Sequence, residues 1–414
     1  MNRYNSYKDS GVEWVGEIPN QWGLKKLKHI SDVRPSNVDK HIYEDEVQVH
    51  LCNYTDVYYQ EVINSDTVLK KGSCNDNEYE KFKLDEGDVI ITKDSESPDD
   101  IGIPVYIEET LENVVCGYHL TLIKPISVLG KFIFRFLESD RTRRYFELNS
   151  NGVTRFGLGK SSIENLVLSI PSESEQQQIV SFLDTKTSLI DSLIEKTQLK
   201  IELLKEKRTS LINEVVTKGL NPKVEMKESG VEWIGKIPSH WDFIRLKYLF
   251  SLEGGKDPKN IQNDDGEYPI LGTGGEISRG SDYLYDKPTL LLGRKGTIDK
   301  PYLYESPFWV SDVMYYTIMK KDITPRYLNF LFKTIPFDYY RYGSTQPSMS
   351  RLDYESMYFP IPPSDERQEI SNYIDEQTGL IDNTVSIEEK RIELLKEYRQ
   401  SLISEVVTGK RKVV

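Results

Sequence analysis

Residues 9–30 read DSGVEWVGEIPNQWGLKKLKHI, and residues 228–249 read ESGVEWIGKIPSHWDFIRLKYL. The second stretch repeats the first, displaced by 219 positions. Gly11/Gly230, Trp14/Trp233, Gly16/Gly235, Pro19/Pro238 and Trp22/Trp241 coincide, which chance does not produce over so short a span. Further along, residues 170–217 (IPSESEQQQIVSFLDTKTSLIDSLIEKTQLKIELLKEKRTSLINEVVT) match residues 361–408 (IPPSDERQEISNYIDEQTGLIDNTVSIEEKRIELLKEYRQSLISEVVT) at a displacement of 191. Each half therefore has a repeated opening, a middle of its own and a repeated close. Repeated flanks imply one scaffold used twice, and unlike middles imply two different tasks performed on it.

The closing segments carry a heptad seam. Ile190, Ile194, Thr197, Ile201, Leu204, Arg208, Leu211 and Val215 alternate steps of four and three, and so do Ile381, Val385, Glu388, Ile392, Leu395, Arg399, Leu402 and Val406. This spacing belongs to helices that pair along their length, and its polar interruptions fix register at some cost in stability. Ser172 with Glu175 has capping-box spacing, Pro362–Pro363 precedes the second helix, and Gly219 and Gly409 mark the ends. About 45 residues at ~1.5 Å each make a rod of ~65 Å, too long to lie on one small domain. An intramolecular antiparallel pair is the expectation.

At ~150 residues per domain, 414 residues suggest two or three units. The expected division is an opening segment over 1–19, a first globular domain over 20–170, a long helix over 171–220, and a linker with the second opening over 221–238. A second domain over 239–361 and a second helix with a tail over 362–414 complete it. The fold class is α/β in the mixed α+β sense, with two globular domains joined by two long helices. Because the chain stops after the second helix while the matching opening stands at the N-terminus, the molecule reads as circularly organised and pseudo-twofold, with neighbouring termini.

In the first middle, strands are expected at 47–54, 88–92, 104–107 and 114–124, and a helix at 131–148. In the second, strands are expected at 268–271, 290–293 and 308–319, and a helix at 325–333. The similar order predicts a shared fold. Both middles end in comparable loops, 152–159 and 343–350, and polar and basic residues gather there. Arg141, Arg143, Arg144, Asn151, Arg155 and Lys160 do so in the first half; Arg341, Tyr342, Ser344, Gln346 and Ser348 do so in the second. Lys93 and Ser95, and Arg294 with Lys295, form a second pair of exposed turns. Arg and Lys suit phosphates and guanine edges, and Asn and Gln suit adenine edges. Solvated surface charge is the competing reading for each residue.

Several classes find no support. There is no Walker A sequence, no Asn-Pro-Pro-aromatic motif and no nuclease-like carboxylate–lysine cluster. His29, His41, His50, His119 and His240 lack metal-ligand spacing. The glycines of 271–275 read as a turn. No signal peptide or membrane span is expected, and Cys52, Cys74 and Cys116 read as free thiols of a cytoplasmic protein. The charge balance, 53 Lys+Arg against 66 Asp+Glu, predicts weak and salt-sensitive DNA affinity for the isolated chain.

The GVEWxGxIPxxW opening, the two unlike middles and the two heptad closes ending in LIxEVVT together resemble the specificity subunit of type I restriction–modification systems, over nearly the whole chain. The resemblance implies that each middle is a target recognition domain reading one half of a split, asymmetric site in double-stranded DNA. It implies that the helices act as spacer and as docking surface for two modification (methyltransferase) subunits, joined by restriction subunits. S-adenosylmethionine, ATP and Mg would belong to those partners, this chain holding no cofactor, metal or catalytic residue. The competing readings are a coiled-coil adaptor that does not read DNA and the recognition part of a single-chain methyltransferase.

Overall fold

The structure is a computed structural model and describes residues 3–320, 322–339 and 347–413. Its residues form two compact units. Unit 1 comprises 1–197 with 390–414, and unit 2 comprises 198–389. The seam pattern is realised as two long helices, Glu173–Lys218 and Ser364–Val407, each contributing to both units.

Unit 1 holds a five-stranded sheet in the order Ser31–Pro35, Leu120–Pro125, Val89–Thr92, Pro104–Ile107, Val62–Ile63. A three-stranded sheet runs Val114–Cys116, Val47–Cys52, Lys70–Cys74. Between the two sheets lies a core that includes Val49, Leu51, Phe82, Ile90, Val105 and Leu122. Unit 2 repeats this plan. Its four-stranded sheet runs Phe250–Gly254, Met314–Met319, Thr289–Gly293, Tyr302–Tyr304, and its three-stranded sheet runs Gly275–Gly280, Tyr268–Gly272, Trp309–Val310. In both three-stranded sheets one pairing is parallel and the other antiparallel. The middles share a fold, as their element order predicts.

Three expected elements are each divided. The stretch 114–124 is not one strand, because Val114–Cys116 joins the small sheet and Leu120–Pro125 the large one. The chain crosses over at 117–119 with His119 at φ 65°. In unit 2 the stretch 308–319 divides the same way, into Trp309–Val310 and Met314–Met319. The helix expected over 131–148 breaks into Gly130–Leu137 and Asp140–Asn149, because the Ser139 side chain accepts from Thr142 N–H and starts a new helix. Helices Tyr54–Tyr59 and Asp76–Phe82 are additional; each opens with a capping box, at Asn53/Asp56 and Asn75/Glu78. The glycines of 271–275 lie in the turn of the hairpin Tyr268–Gly272/Gly275–Gly280.

The opening segments clamp the helices. Trp22, fully buried, donates its indole N–H to Glu175 Oε2 at 3.0 Å, and Trp241 donates to Glu366 Oε2 at 3.1 Å. Glu175 therefore does not close the capping box; Ser172 Oγ accepts from Glu175 N–H at 3.4 Å, while the carboxylate is taken by Trp22 and by the Tyr4 hydroxyl at 2.7 Å. Strand Tyr7–Asp9 pairs with Glu17–Pro19, and its counterpart Met226–Glu228 pairs with Lys236–Pro238. Tyr4, Val15, Ile18 and Trp22 share one core with Leu402, Ile403, Val406 and Val407, and the Tyr7 hydroxyl donates to the Lys410 carbonyl at 3.5 Å. The N- and C-terminal segments thus close unit 1 together. Gly219 (φ 77°) and Gly409 (φ 73°) end the helices in the left-handed conformation. A Cβ on Gly409 would collide with Pro19 and lie 3.1 Å from the Trp22 ring.

Candidate nucleic-acid interface

The turns and loops singled out by their charge come together in each unit through the same backbone bonds. In unit 1, the turn after strand Val89–Thr92 donates Lys93 N–H to the His119 carbonyl at 3.0 Å, and the Lys93 carbonyl accepts Leu158 N–H at 2.7 Å. Asp94–Ser95 then pairs with Phe156–Gly157. In unit 2, Arg294 N–H donates to the Val313 carbonyl at 2.8 Å, and the Arg294 carbonyl accepts Met349 N–H at 3.1 Å. Lys295 bridges Ser348 there. One junction of turn, crossover and loop is thus built twice, and its side chains differ.

Those side chains divide by surroundings. Arg155, Arg143, Arg144, Asn151, Lys160, Arg294 and Lys295 are exposed. Arg155 lies against the His119 ring, Lys160 pairs with Glu164 at 3.5 Å, and Arg294 Nη1 donates to the Asp312 carbonyl at 3.2 Å. Ser348 is half-buried. Three residues are engaged within the fold. The Lys93 ammonium donates to the Ser36 carbonyl at 2.8 Å, Ser95 is buried, and Arg141 turns from the loop to the Val15 carbonyl of the opening segment. Burial holds the Arg141 guanidinium below its usual range. Arg341, Tyr342, Ser344 and Gln346 lie outside the described residues. His119 and Asp94 are 25 residues apart, and no motif in the sequence joins them. Their carboxylate–imidazole contact sits at the centre of the first junction.

A family described as the type I restriction modification DNA specificity domain matches residues 19–203 and 238–397. The chain belongs to this family. The chain is similar to the putative type I restriction enzyme MjaX specificity subunit of Methanocaldococcus jannaschii, at 22% identity over 426 aligned residues covering 96% of each. It is also similar to the EcoDI specificity subunit of Escherichia coli, at 23% identity over 42% of this chain and 39% of that one. Among solved structures, the HsdS subunit from Thermoanaerobacter tengcongensis has a TM-score of 0.58 at 13% identity, covering 95% of this chain and 98% of that one. A chain from work on complex assembly and conformational transition of the type I R-M system has a TM-score of 0.75 at 13% identity, covering 95% and 99%. At such identity the likeness is one of fold.

The long helices of this specificity chain present two kinds of face. Along the seam, Ile190, Thr197, Ile201, Val215, Ile381, Val385, Glu388, Leu402 and Val406 are buried, and Ile194, Leu204, Leu211, Ile392 and Leu395 half-buried. The seam arginines pair across it in each unit. Arg208 binds both carboxylate oxygens of Asp382 at 2.8 and 3.1 Å, and Arg399 Nε binds Asp191 at 3.0 Å. Arg208/Arg399 and Asp191/Asp382 are each 191 residues apart, so each copy of the repeat supplies the arginine once and the aspartate once. Lys200 covers the buried Glu388 at 2.6 Å. On other faces Leu189, Leu203, Leu380 and Leu394 are more than half exposed, and they too are pairs at 191. No helix among the described residues is long and apolar enough to cross a membrane.

Proposed function

We propose that the chain sets the sequence specificity of a type I restriction–modification complex by reading a bipartite, asymmetric site in double-stranded DNA, one half with each unit, and that it does so without catalysis of its own. The observation that carries this is the duplicated junction: the same backbone bonds hold Lys93, Asp94 and Ser95 in one reader and Arg294, Lys295 and Gly296 in the other. A shared frame with unlike side chains reads unlike sequences. Among the described residues, the exposed Arg155, Arg294 and Lys295 would reach base edges or phosphates. Arg143, Arg144, Asn151 and Lys160 flank them.

The repeated exposed leucines, Leu189/Leu380 and Leu203/Leu394, support docking of two like partners, one on each copy of the repeat. These partners are modification methyltransferase subunits, joined by restriction subunits. S-adenosylmethionine, ATP and Mg act in those partners. Because this chain carries a net charge of −13, its protein partners would have to supply more of the positive charge that DNA binding requires.

The test replaces residues 20–170 with the corresponding domain of another family member, reconstitutes the complex and sequences the methylated positions. One half of the recognised sequence should change and the other stay. A change in both halves, or indifference of the complex to sequence, would refute the proposal; the latter outcome would favour a coiled-coil adaptor.

A further inference from the structure

At the first junction, His119 occupies a left-handed conformation, φ 65°, that a side chain other than glycine adopts only when its surroundings hold it there. Two contacts do so. Its carbonyl accepts Lys93 N–H at 3.0 Å, and its Nδ1 contacts the Asp94 carboxylate. The dyad is partly sheltered, with 28% of the His119 side chain and 22% of Asp94 accessible. Arg155 is 58% accessible. One of its guanidinium nitrogens lies 3.2 Å from Nδ1 and 3.4 Å from Nε2 of the same ring. A nitrogen nearly equidistant from both ring nitrogens, and this close, lies over the imidazole face; in the ring plane it would collide with Cε1. The same nitrogen is 4.0 Å from Asp94 Oδ2, and the Tyr118 ring lies 4.0 Å from that of His119.

We propose that His119, anchored by Asp94, is a positioning residue: its ring is the platform that holds the Arg155 guanidinium for bidentate hydrogen bonding to one guanine in the half-site read by unit 1. The inference rests on the DNA-reading function proposed above. A planar guanidinium stacked on a ring loses less freedom when its fork engages guanine O6 and N7. The carboxylate belongs to the imidazole, so the guanidinium is held near it without being neutralised in a two-point pair. Among the described residues unit 2 has no counterpart of the His119–Asp94 pair, because Val313 stands at the crossover where unit 1 has His119 and Lys295 stands where it has Asp94. The difference falls where two unlike readers should differ.

The full chain, assembled with its methyltransferase partner, is offered a pool of duplex DNA randomised over both half-sites, and bound and methylated molecules are sequenced. His119→Gly is the informative variant, because glycine suits φ 65° and removes the ring while sparing the backbone. Asn113→Gly, at φ 56° in the loop before strand Val114–Cys116, controls for the backbone change. His119→Gly and Arg155→Lys should each lower guanine discrimination by about 10- to 100-fold at one and the same position, the equivalent of one bidentate contact. The other half-site should keep its profile. His119→Phe, which restores a ring without the Asp94 contact, should recover part of the loss, and Asn113→Gly should change nothing. An unmoved profile in a selective complex overturns this inference alone. So does an even loss at all positions with a shallower salt dependence, which marks a phosphate contact. A wild-type complex without sequence preference overturns the proposed function as well.

Discussion

Arg208 and Arg399 are the same residue of the repeat, yet their removal should cost unequal amounts. Arg208 is 31% accessible and its partner Asp382 54%. Exposed pairs of this kind contribute about 0.2–1 kcal/mol. Lys333 ends helix Pro325–Phe332 close by, and burial together with the Arg208 charge pushes its ammonium below the usual range, so losing Arg208 also relieves a repulsion. Arg399 is 14% accessible and serves Asp191, Glu61 and Glu138 together. Glu138, at the end of helix Gly130–Leu137 where unit 2 has Lys333, is itself 11% accessible and also binds Arg135 at 2.7 Å. Hydrogen bonds to charged groups in such surroundings contribute about 1.5–3 kcal/mol, and a sheltered carboxylate losing one of two cations adds to the cost. We expect Arg399→Ala to destabilise unit 1 by about 2 kcal/mol and Arg208→Ala to destabilise unit 2 by under about 1 kcal/mol. Hydrogen exchange read on peptides from 173–197 and from 198–218 separates the units, with protection falling about 30-fold in the first and under about fivefold in the second. Glu138→Gln in the Arg399→Ala background should return part of the loss, because it removes the under-paired charge. Equal losses for the two arginines, or a further loss in the double variant, would mean that the Arg399 cluster contributes no more than the Arg208–Asp382 pair.

Other outcomes follow from the same structure. Leu380→Ser with Leu394→Ser, both on the second copy of the repeat, should halve the methyltransferase that co-purifies while shifting the melting temperature by no more than about 2 °C, since both side chains are already exposed. Gly409→Ala, at φ 73° against Pro19 and Trp22, should lower stability by about 2 kcal/mol or more in denaturant titration, whereas Gly230→Ala, with open space around it, should cost only the backbone strain of about 1 kcal/mol. Burial pushes the Cys74 thiol up to about 11 and raises those of Cys52 and Cys116 as well. All three should resist a disulfide reagent at pH 8 in the native protein and react within minutes in guanidinium chloride; fast native labelling would contradict the burial.

The parts of this molecule that depend on period and repetition are legible in its sequence. The seam positions, the left-handed glycines at the helix ends and the common plan of the two middles all stand where spacing puts them, because these are set by local geometry or by a pattern recorded twice. What is not legible is decided by tertiary competition. The apolar stretch 114–124 carries no mark that its halves serve different sheets, and the break at 117–119 becomes visible only when both sheets are present. Ser139 is an ordinary N-cap residue inside a run that otherwise continues a helix. Side-chain direction is the hardest to read: Arg141 and Arg144 are three residues apart, but one turns to the Val15 carbonyl and the other to solvent. Lys93 is basic and in the right turn, yet its ammonium serves Ser36. His119 is set apart by a backbone conformation that no sequence motif announces.

We propose that two unlike readers address two separate half-sites, with helix length setting the gap between them. One added heptad in each long helix, after Thr197 and after Glu388, keeps the seam in phase and lengthens each rod by about 10 Å, or about three base pairs of B-form DNA. Sequencing the positions methylated by the complex carrying this variant should return the same two half-sites with the gap widened by about that amount. An unchanged gap, or a single continuous motif in place of two halves, would rule out the helical spacer and the split site.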